Sequence, residues 1–254
     1  LVNDSGVLIN EYYISPDFTI ISKYDNPMEY INGYIHVCNS SKTIGVAEKE
    51  DRIKYYKAIN PELKIDFSHK TFPLIVNPVG QFPESYSETG DNYYDFFPTR
   101  CINSKGQLLL SFNADHNIYI FEGEELVAKK LCKSEYIKSM NPIPEDRMFD
   151  MAYLKKYQFE EPKYDRLYYD KYRDNYYRIV KHRYKIDNNP EFDCENHTWS
   201  IIVIDADFNI IGEQKFKNCE YNYQVFFPAE EGLYLLQSNS DPQDKTIKLV
   251  LLEI

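Results

Sequence analysis

Two stretches of the sequence share one pattern of short apolar runs separated by polar turns, and this pattern constrains the fold most. Residues 96–131 contain four such runs, at 96–102, 107–112, 117–122 and 126–131, joined by NSKG, NADH and EGEE. Residues 221–254 repeat the order: an FFP motif, a glycine turn, a leucine-rich run, a polar turn and another apolar run. Runs of this length with tight turns predict antiparallel meanders.

The two stretches also match at five positions, with a third unit lying between them. The matched pairs are Gly106 with Gly232, Leu109 with Leu235, Leu110 with Leu236, Asn113 with Asn239 and Asp115 with Asp241. Residues 198–216 predict a hairpin with strands at 199–204 and 210–216. Repeated meanders at intervals of about 40–50 residues are typical of β-propellers. We therefore predict an all-β fold, a β-propeller of four-stranded antiparallel blades, in which residues 1–254 form a single domain.

The middle unit needs two more strands, and the stretch YDRLYYDKYRDNYYRIVKHRY at 164–184 is the only candidate. Strands at 164–172 and 176–186 would complete the blade. A helix is the alternative, because the stretch contains no Pro or Gly and several of its tyrosines lie at helical spacing.

The strand interpretation also decides what the basic residues of this stretch do. Alternation places Arg178 and His182 on one face and Lys181 and Arg183 on the other. Because the cations are split between two faces, they form no continuous basic stripe, and we expect no nucleic-acid partner. The net charge of −11, from 40 acidic and 29 basic residues, points the same way.

The remaining segments give less regular patterns. Strands are predicted at 6–14, 18–24, 30–38 and 72–79, a strand or short helix at 48–59, and a polar loop at 80–94. Residues 132–157 predict a helical turn and a long loop. The last unit contains only three strands, so we expect residues 6–14 to supply its fourth and cover the sheet edge. No run is long and apolar enough for a membrane helix.

Three motifs, YYDKYRDNYYRIVKH at 168–182, WSIIVIDADFNIIGE at 199–213 and FFPAEEGLYLLQS at 226–238, resemble a known family. It is a family of six-bladed β-propeller proteins of unknown function from Bacteroidetes, usually secreted and lipoprotein-like. The resemblance covers about residues 90–254 and is looser before them. It implies a six-bladed type that is incomplete at the N-terminus of this chain, an extracytoplasmic location (periplasm or cell surface), a lipid anchor upstream of the chain, and a binding or scaffold role.

The sequence contains no motif that carries catalysis. Asp115, Asp205, Asp207 and Asp241 lie in predicted hairpin turns, where aspartates accept hydrogen bonds from nearby backbone N–H groups. The five cysteines form no C-x-x-C pair and are predicted to be buried thiols, and no two histidines lie four residues apart. We therefore predict no catalytic residue, no metal and no cofactor. Glycoside cleavage by a pair of carboxylates stays an alternative, because a chain with 40 acidic residues contains some that lie close together.

Four residues are candidates for ligand binding. Arg100, Arg166 and Tyr168 fall on predicted innermost strands, which line the channel of a propeller, and suit an anionic or sugar ligand. Structural salt bridges or a solvated rim are the alternative. Trp199 is a candidate for stacking on a sugar, with packing between blades as its alternative. The expected function is a non-enzymatic binding or scaffold module for a glycan, peptide or protein, and the alternative is a propeller hydrolase or lyase acting on polysaccharide or peptide.

Overall fold

The computed structural model describes residues 20–21, 28–31, 33–39, 48–66, 74–184, 197–217, 220–238 and 246–252. The chain divides into two compact units, Leu1–Gly90 and Asp91–Ile254. The expectation of one domain over residues 1–254 stays a prediction. None of the helices in the described ranges combines the length and apolar character that crossing a membrane requires.

The first unit contains an antiparallel sheet and two helices. Its strands are β1 (Ile20–Ile21), β2 (Glu29–Ile31), β3 (Tyr34–Asn39), β4 (Glu62–Asp66) and β5 (Ile75–Val79). They follow the order β1–β3–β4–β5, with β2 also paired to β3. The segment predicted as strand or helix is helix α1 (Lys49–Ala58). The prediction missed β4, and it treated as loop a segment that contains the short helix α2 (Glu84–Ser87).

The described part of the second unit contains three antiparallel sheets in chain order. The first is β6 (Thr99–Ile102), β7 (Leu108–Ser111), β8 (Asn117–Glu122) and β9 (Glu125–Leu131). The second is β10 (Lys163–Asp170), β11 (Asn175–Lys181), β12 (Thr198–Ile204) and β13 (Ile210–Lys217). The third is β14 (Tyr221–Pro228), β15 (Leu233–Gln237) and β16 (Leu249–Leu252). Each sheet pairs its strands in sequence order, as in a propeller blade.

The predicted meanders are confirmed by these sheets. Leu109 and Leu235, matched in the sequence alignment, lie on β7 and β15 and are both fully buried. Gly106 has a φ of 75°, a left-handed conformation that glycine adopts without steric cost, in the turn before β7. Asn239 and Asp241 lie outside the described residues.

Residues 164–184 are strands, so the helical alternative is wrong. Tyr176 and Val180 of β11 belong to a core shared with the first sheet, whereas Tyr177 and Ile179 belong to a core shared with the third. Only a strand sends successive residues into two separate cores in this way. The predicted division of faces along this segment is therefore confirmed.

The expectation of six blades is wrong for the described chain, which contains four sheets. Some connections between strands contain helices of their own, such as those between β9 and β10. These residues are not available to form further blades. A described fourth strand is lacking only in the last sheet of the second unit, and the residues expected to supply it, 6–14, lie outside the described residues.

The connection between β9 and β10 is more helical than predicted. It contains a single 3-10 turn (Glu145–Arg147) and helix α3 (Met151–Glu160). Asp150 caps α3 by accepting hydrogen bonds from the N–H groups of Ala152 and Tyr153. The helix ends before Pro162, because proline disfavours helical backbone in the preceding residue. Only Glu161 and Pro162 thus lie between the end of α3 and the first residue of β10.

Arg178 joins the first two sheets of this unit. It lies on β11 with 0% of its surface exposed, and its guanidinium lies 3.4 Å from the ring centroid of Tyr164. At 2.7–2.9 Å the guanidinium donates hydrogen bonds to Ser111 Oγ and to the carbonyl oxygens of Asp115, His116 and Cys132. These bonds offset the cost of burying the charge, although burial still lowers the pKa of Arg178.

His182 lies in a buried hydrogen-bonded chain within the second sheet. Ser200 Oγ donates to Glu213 Oε1 at 2.5 Å, so Ser200 can only accept from His182 Nε2, 2.8 Å away. His182 Nδ1 then accepts from Thr198 Oγ1 at 2.9 Å. Burial, with Lys215 and His197 nearby, lowers the pKa of His182 to about 4. The chain of hydrogen bonds therefore holds His182 neutral.

Replacing Arg178 by methionine should destabilise the second unit. The substitution removes the guanidinium donor from four acceptors, of which the carbonyl oxygen of His116 keeps a bond from the N–H of Cys132, and each buried group left unsatisfied costs about 1–3 kcal/mol. Arg183→Met is the control, because Arg183 pairs with Glu161 where its side chain is 39% exposed, and such pairs contribute at most about 1 kcal/mol. In urea unfolding, we expect a loss of about 3 kcal/mol or more for Arg178→Met. Equal losses in the two variants would contradict the role given to Arg178.

The stability of the protein should fall between about pH 6.5 and pH 4 partly because of His182. In this range His182 binds a proton in the unfolded state, where its pKa is near 6.5, but stays neutral in the folded state, where its pKa is about 4. The free energy of unfolding therefore decreases as pH falls. One histidine contributes a slope of up to about 1.4 kcal/mol per pH unit. His182→Gln should reduce that slope in urea unfolding measured across the range. An unchanged slope would show that His182 is protonated in the folded state.

Candidate functional site

The first strands of the second and third sheets both contain an irregularity at the same end. The register of β10 shifts between Tyr164 and Arg166, and that of β14 shifts between Asn222 and Phe226. Residues 223–225 are therefore left out of the β14–β15 ladder. Bulges bend and twist a strand and often redirect side chains beside functional sites.

Arg166 holds the bulge of β14 against β10. Its Nη1 donates to the carbonyl oxygen of Gln224 at 2.7 Å and to the hydroxyl of Tyr168 at 3.0 Å. The ring of Tyr168 packs edge-on against Phe226, with centroids 4.2 Å apart. Within the bulge, Asn222 Oδ1 accepts from the N–H of Gln224 at 2.8 Å. The backbone of Gln224 is thereby fixed through both of its polar groups.

A cavity of about 370 Å³ lies at this end of the strands. Its lining comes from the end of α3, from β10, β11 and β14, and from the residues next to β12 and β15: Gln158, Phe159, Lys163, Lys181, His197, Asn222, Tyr223, Gln224 and Ser238. The volume lies within the range of small-molecule sites, about 300–1,000 Å³. Amides, hydroxyls and cations dominate this lining, and no carboxylate belongs to the described part of it.

Two lysines face each other across the strands beside the cavity. Lys163 and Lys181 are direct partners in the antiparallel pairing of β10 with β11. Lys163 Nζ lies 3.2 Å from Asp165 Oδ1, whereas Lys181 Nζ donates to the carbonyl oxygen of Gln158 at 2.5 Å and forms no salt bridge with the described residues. Only one of the three N–H donors of Lys181 is used by that bond.

The two lysines differ in their affinity for a proton. Lys181 is 3% exposed, and burial, reinforced by Lys163, lowers its pKa to about 7 against the opposing effect of Asp165 and Glu161. Burial also opposes the charge on Lys163, but the carboxylates of Asp165 and Asp95 outweigh it and raise the pKa of Lys163. At neutral pH, Lys163 is thus charged and paired with a carboxylate, while Lys181 is close to half protonated.

His197 closes another side of the cavity. It is buried between aromatic rings, with the ring centroids of Tyr184 and Tyr223 at 5.7 and 6.4 Å. Burial, reinforced by Lys181, lowers the pKa of His197 to about 4. At neutral pH the imidazole is uncharged, so it contributes a polar wall without adding positive charge.

The structure places the four predicted ligand-binding residues in three environments. Arg166 and Tyr168 lie together on β10 and position the bulge that lines the cavity. Arg100 lies on β6, 4% exposed, and does not belong to the described lining. Trp199 is 0% exposed and stacked on Phe216, with centroids 4.6 Å apart. Because no part of the indole reaches solvent, the placement corrects the sugar-stacking interpretation of Trp199 and supports the packing alternative.

The residues that line the cavity were missed by sequence reasoning. Lys181 was assigned to the face opposite Arg178, which is its observed position, but nothing in that pattern distinguishes it from Arg183. Its pairing with Lys163 depends on the strand register, and the exposure of Gln224 to the cavity depends on the bulge. The bulges themselves could not be predicted, because neither β10 nor β14 contains a glycine, the residue that often marks a bulge in a sequence.

The turn interpretation of the aspartates is confirmed where the structure describes them. Asp115 accepts from the N–H of Asn117 at 2.6 Å, and Asp205 accepts from the N–H groups of Asp207 and Asn209 at 3.0 and 2.8 Å. Cys38, Cys101 and Cys132 are buried free thiols. Within the described ranges, His, Cys, Asp and Glu form no group of three or more that could hold a metal ion.

A smaller cavity of about 30 Å³ shares Gln158 and Lys163 with the larger one. Tyr93 and Tyr157 contribute to its lining, and burial raises the pKa of both phenols, that of Tyr93 to about 12. The space suits a few water molecules at most. The larger cavity is therefore the candidate site for a ligand.

Comparisons with known proteins identify the family and the fold but no activity. A crystal structure of a member of the DUF4221 family from Bacteroides vulgatus ATCC 8482 matches with a TM-score of 0.71 at 24% identity. The match covers 99% of this chain and 72% of that one, and at this identity it bears on the fold alone. No curated protein matches the sequence significantly. Residues 2–215 match the model of the domain of unknown function DUF4221, so the chain belongs to this β-propeller-like family of unknown function.

Proposed function

We propose that this protein is a ligand-binding propeller module whose polar cavity holds part of a glycan. The observation that carries the proposal is the cavity of about 370 Å³, which combines Asn222, Gln224 and Ser238 with two lysines. A few polar groups at fixed positions are what orients a ligand in such a site. Arg166 and Asn222 fix the backbone of Gln224, so this part of the site is formed before any ligand arrives.

Two features of the lining favour a sugar over a peptide or protein partner. The rings of Phe159, 45% exposed, and Tyr223 offer apolar faces beside the polar groups, an arrangement that suits the mixed surface of a sugar ring. A protein partner would need a broad contact surface, about 800 Å² on each partner, whereas this site is a recessed cavity.

A second candidate function is that of a polysaccharide lyase, the finer form of the hydrolase or lyase alternative. A lysine with a pKa of about 7, such as Lys181, is suited to act as a general base at neutral pH. Hydrolysis by a carboxylate pair finds less support, because no carboxylate lines the described part of the cavity. Ultraviolet absorbance of an unsaturated product, on incubation with uronate polysaccharides, would identify lyase activity.

The proposal places the protein outside the cytoplasm, as its family resemblance implies, and includes no nucleic-acid partner. The four arginines of residues 164–184 are engaged with the protein itself, Arg183 through its pairing with Glu161. Arg173 donates to the carbonyl oxygens of Ala229 and Glu230 at 2.9 Å, and Arg166 and Arg178 are bonded as described above. These contacts leave the arginines of this segment few donors for the phosphates of a nucleic acid.

Gln224→Ala should weaken glycan binding without changing the fold. The side chain of Gln224 lines the cavity, and its loss removes hydrogen bonds worth about 0.5–1.5 kcal/mol each, a reduction in affinity of about twofold to tenfold. Gln214→Ala is the matched control, since Gln214 lies exposed on β13, away from the lining. Binding would be measured on a glycan microarray and by calorimetry with the tightest ligand found.

Three outcomes separate the possibilities for this site. Loss of binding in Gln224→Ala alone supports the cavity as the glycan site. Equal glycan binding by both variants would show that the glycan site lies outside this cavity. Binding of peptides and of no glycan would overturn the glycan proposal.

A further inference from the structure

The pairing of Lys163 with Lys181 sets two cations side by side at the cavity. Like charges directly opposite each other on neighbouring strands are destabilising. The first cation is balanced by Asp165, whereas the second has only a neutral carbonyl oxygen as its acceptor among the described residues. A cation buried without an anion is costly. The site therefore has one unbalanced position, at Lys181, that a negatively charged ligand would complete.

From this arrangement we infer that the cavity recognises a single carboxylate on the glycan, as in a uronic acid, and holds it against Lys181. The inference rests on the proposed function and adds the chemical class of the sugar. The free N–H donors of Lys181 would bind the carboxylate, and Asn222 and Gln224 would bind neighbouring hydroxyls. Charge-assisted hydrogen bonds of this kind are about twice as strong as neutral ones.

The charge around the site favours one carboxylate over a densely charged chain. Lys163 pairs with Asp165, which also lies 3.6 Å from Arg166 Nε, and Asp95 offsets its charge further. Lys181 is therefore the one ammonium of the described lining that has no carboxylate within ion-pair distance among the described residues. The whole chain carries a net charge of −11 and repels polyanions at long range. A glycan with one terminal uronic acid fits both conditions better than a heavily sulfated polymer.

Binding of the acid should be coupled to the uptake of a proton by Lys181. The groups facing Lys181 are Lys163 and Asp165 on β10, Glu161 after α3, His197 before β12 and Tyr223 on β14. Lys163, with its raised pKa, stays charged and His197, with a pKa of about 4, stays neutral between pH 6 and pH 8. Lys181, with a pKa of about 7, changes its charge in this range. The apparent affinity should therefore fall about tenfold from pH 6 to pH 8.

The test uses oligosaccharides that carry one terminal uronic acid, their carboxyl-reduced counterparts and their sulfated counterparts, bound to the whole chain. We expect the uronates to bind about tenfold or more tightly than the reduced sugars. Calorimetry at pH 8 in two buffers of different ionisation enthalpy should show uptake of about one proton per uronate bound.

Three variants of the whole chain assign the effect to Lys181. Lys181→Arg keeps its charge at every pH used and should remove the pH dependence. Lys181→Met should bind the uronate and the reduced sugar equally, and its fold is verified by thermal unfolding. Lys217→Met, on the exposed face of β13, should behave as the unmodified protein.

Each failure has a distinct meaning. Equal binding of uronate and reduced sugars by the unmodified protein would overturn this inference and leave the glycan proposal standing. Preference for the sulfated probes, or pH dependence that persists in Lys181→Arg, would also overturn it. Binding of none of the three probe classes would overturn the glycan proposal itself.

Discussion

The hydrogen bonds of Arg178 connect the first two sheets of the second unit, and the geometry of the candidate site depends on them. A buried guanidinium is stable only if its donors are satisfied, and here the acceptors come from the neighbouring sheet: one serine hydroxyl and three backbone carbonyl groups. These acceptors fix β11 in position along the first sheet. Lys181 lies three residues further on the same strand and on its opposite face, so fixing Arg178 also fixes the ammonium at the cavity.

The second and third sheets are connected by the same type of contact. Arg166 binds the carbonyl oxygen of Gln224, and Arg173 binds those of Ala229 and Glu230. Carbonyl groups in turns and bulges have no partner in a strand ladder, and an arginine can satisfy several at once because its donors lie in one plane. Arg166 binds within the bulge of β14, and Arg173 binds just beyond the end of that strand, so the bulge is supported by the fold and requires no ligand to form.

Sequence reasoning recovered the strands and the division of faces because both depend on local alternation. It placed Arg178 and Lys181 on opposite faces correctly, but two carbonyl acceptors of Arg178 come from a turn about 60 residues away and the third comes from Cys132. Backbone carbonyl groups carry no side-chain signal. The predicted strand begins at Tyr164 and so does not include Lys163, the first residue of β10. The pairing of Lys163 with Lys181 could therefore not be predicted, because strand register is set by turn geometry and bulges. Helix α3 is longer than the helical turn predicted within residues 132–157, where Pro142 and Pro144 interrupt the apolar pattern just before it.

The lysine pair is the arrangement that stability alone explains least. Methionine in place of Lys181 would fill the same space without a buried ammonium, and such replacements are often neutral or stabilising. The surrounding groups also keep the two lysines unlike: Asp165 and Asp95 hold the proton on Lys163, while Lys163 and burial weaken it on Lys181. If Lys181 becomes fully protonated only when an acidic ligand binds, the site discriminates strongly between a carboxylate and a neutral hydroxyl. The same partial protonation limits the cost to the empty protein, because a neutral amine is easier to bury than a cation.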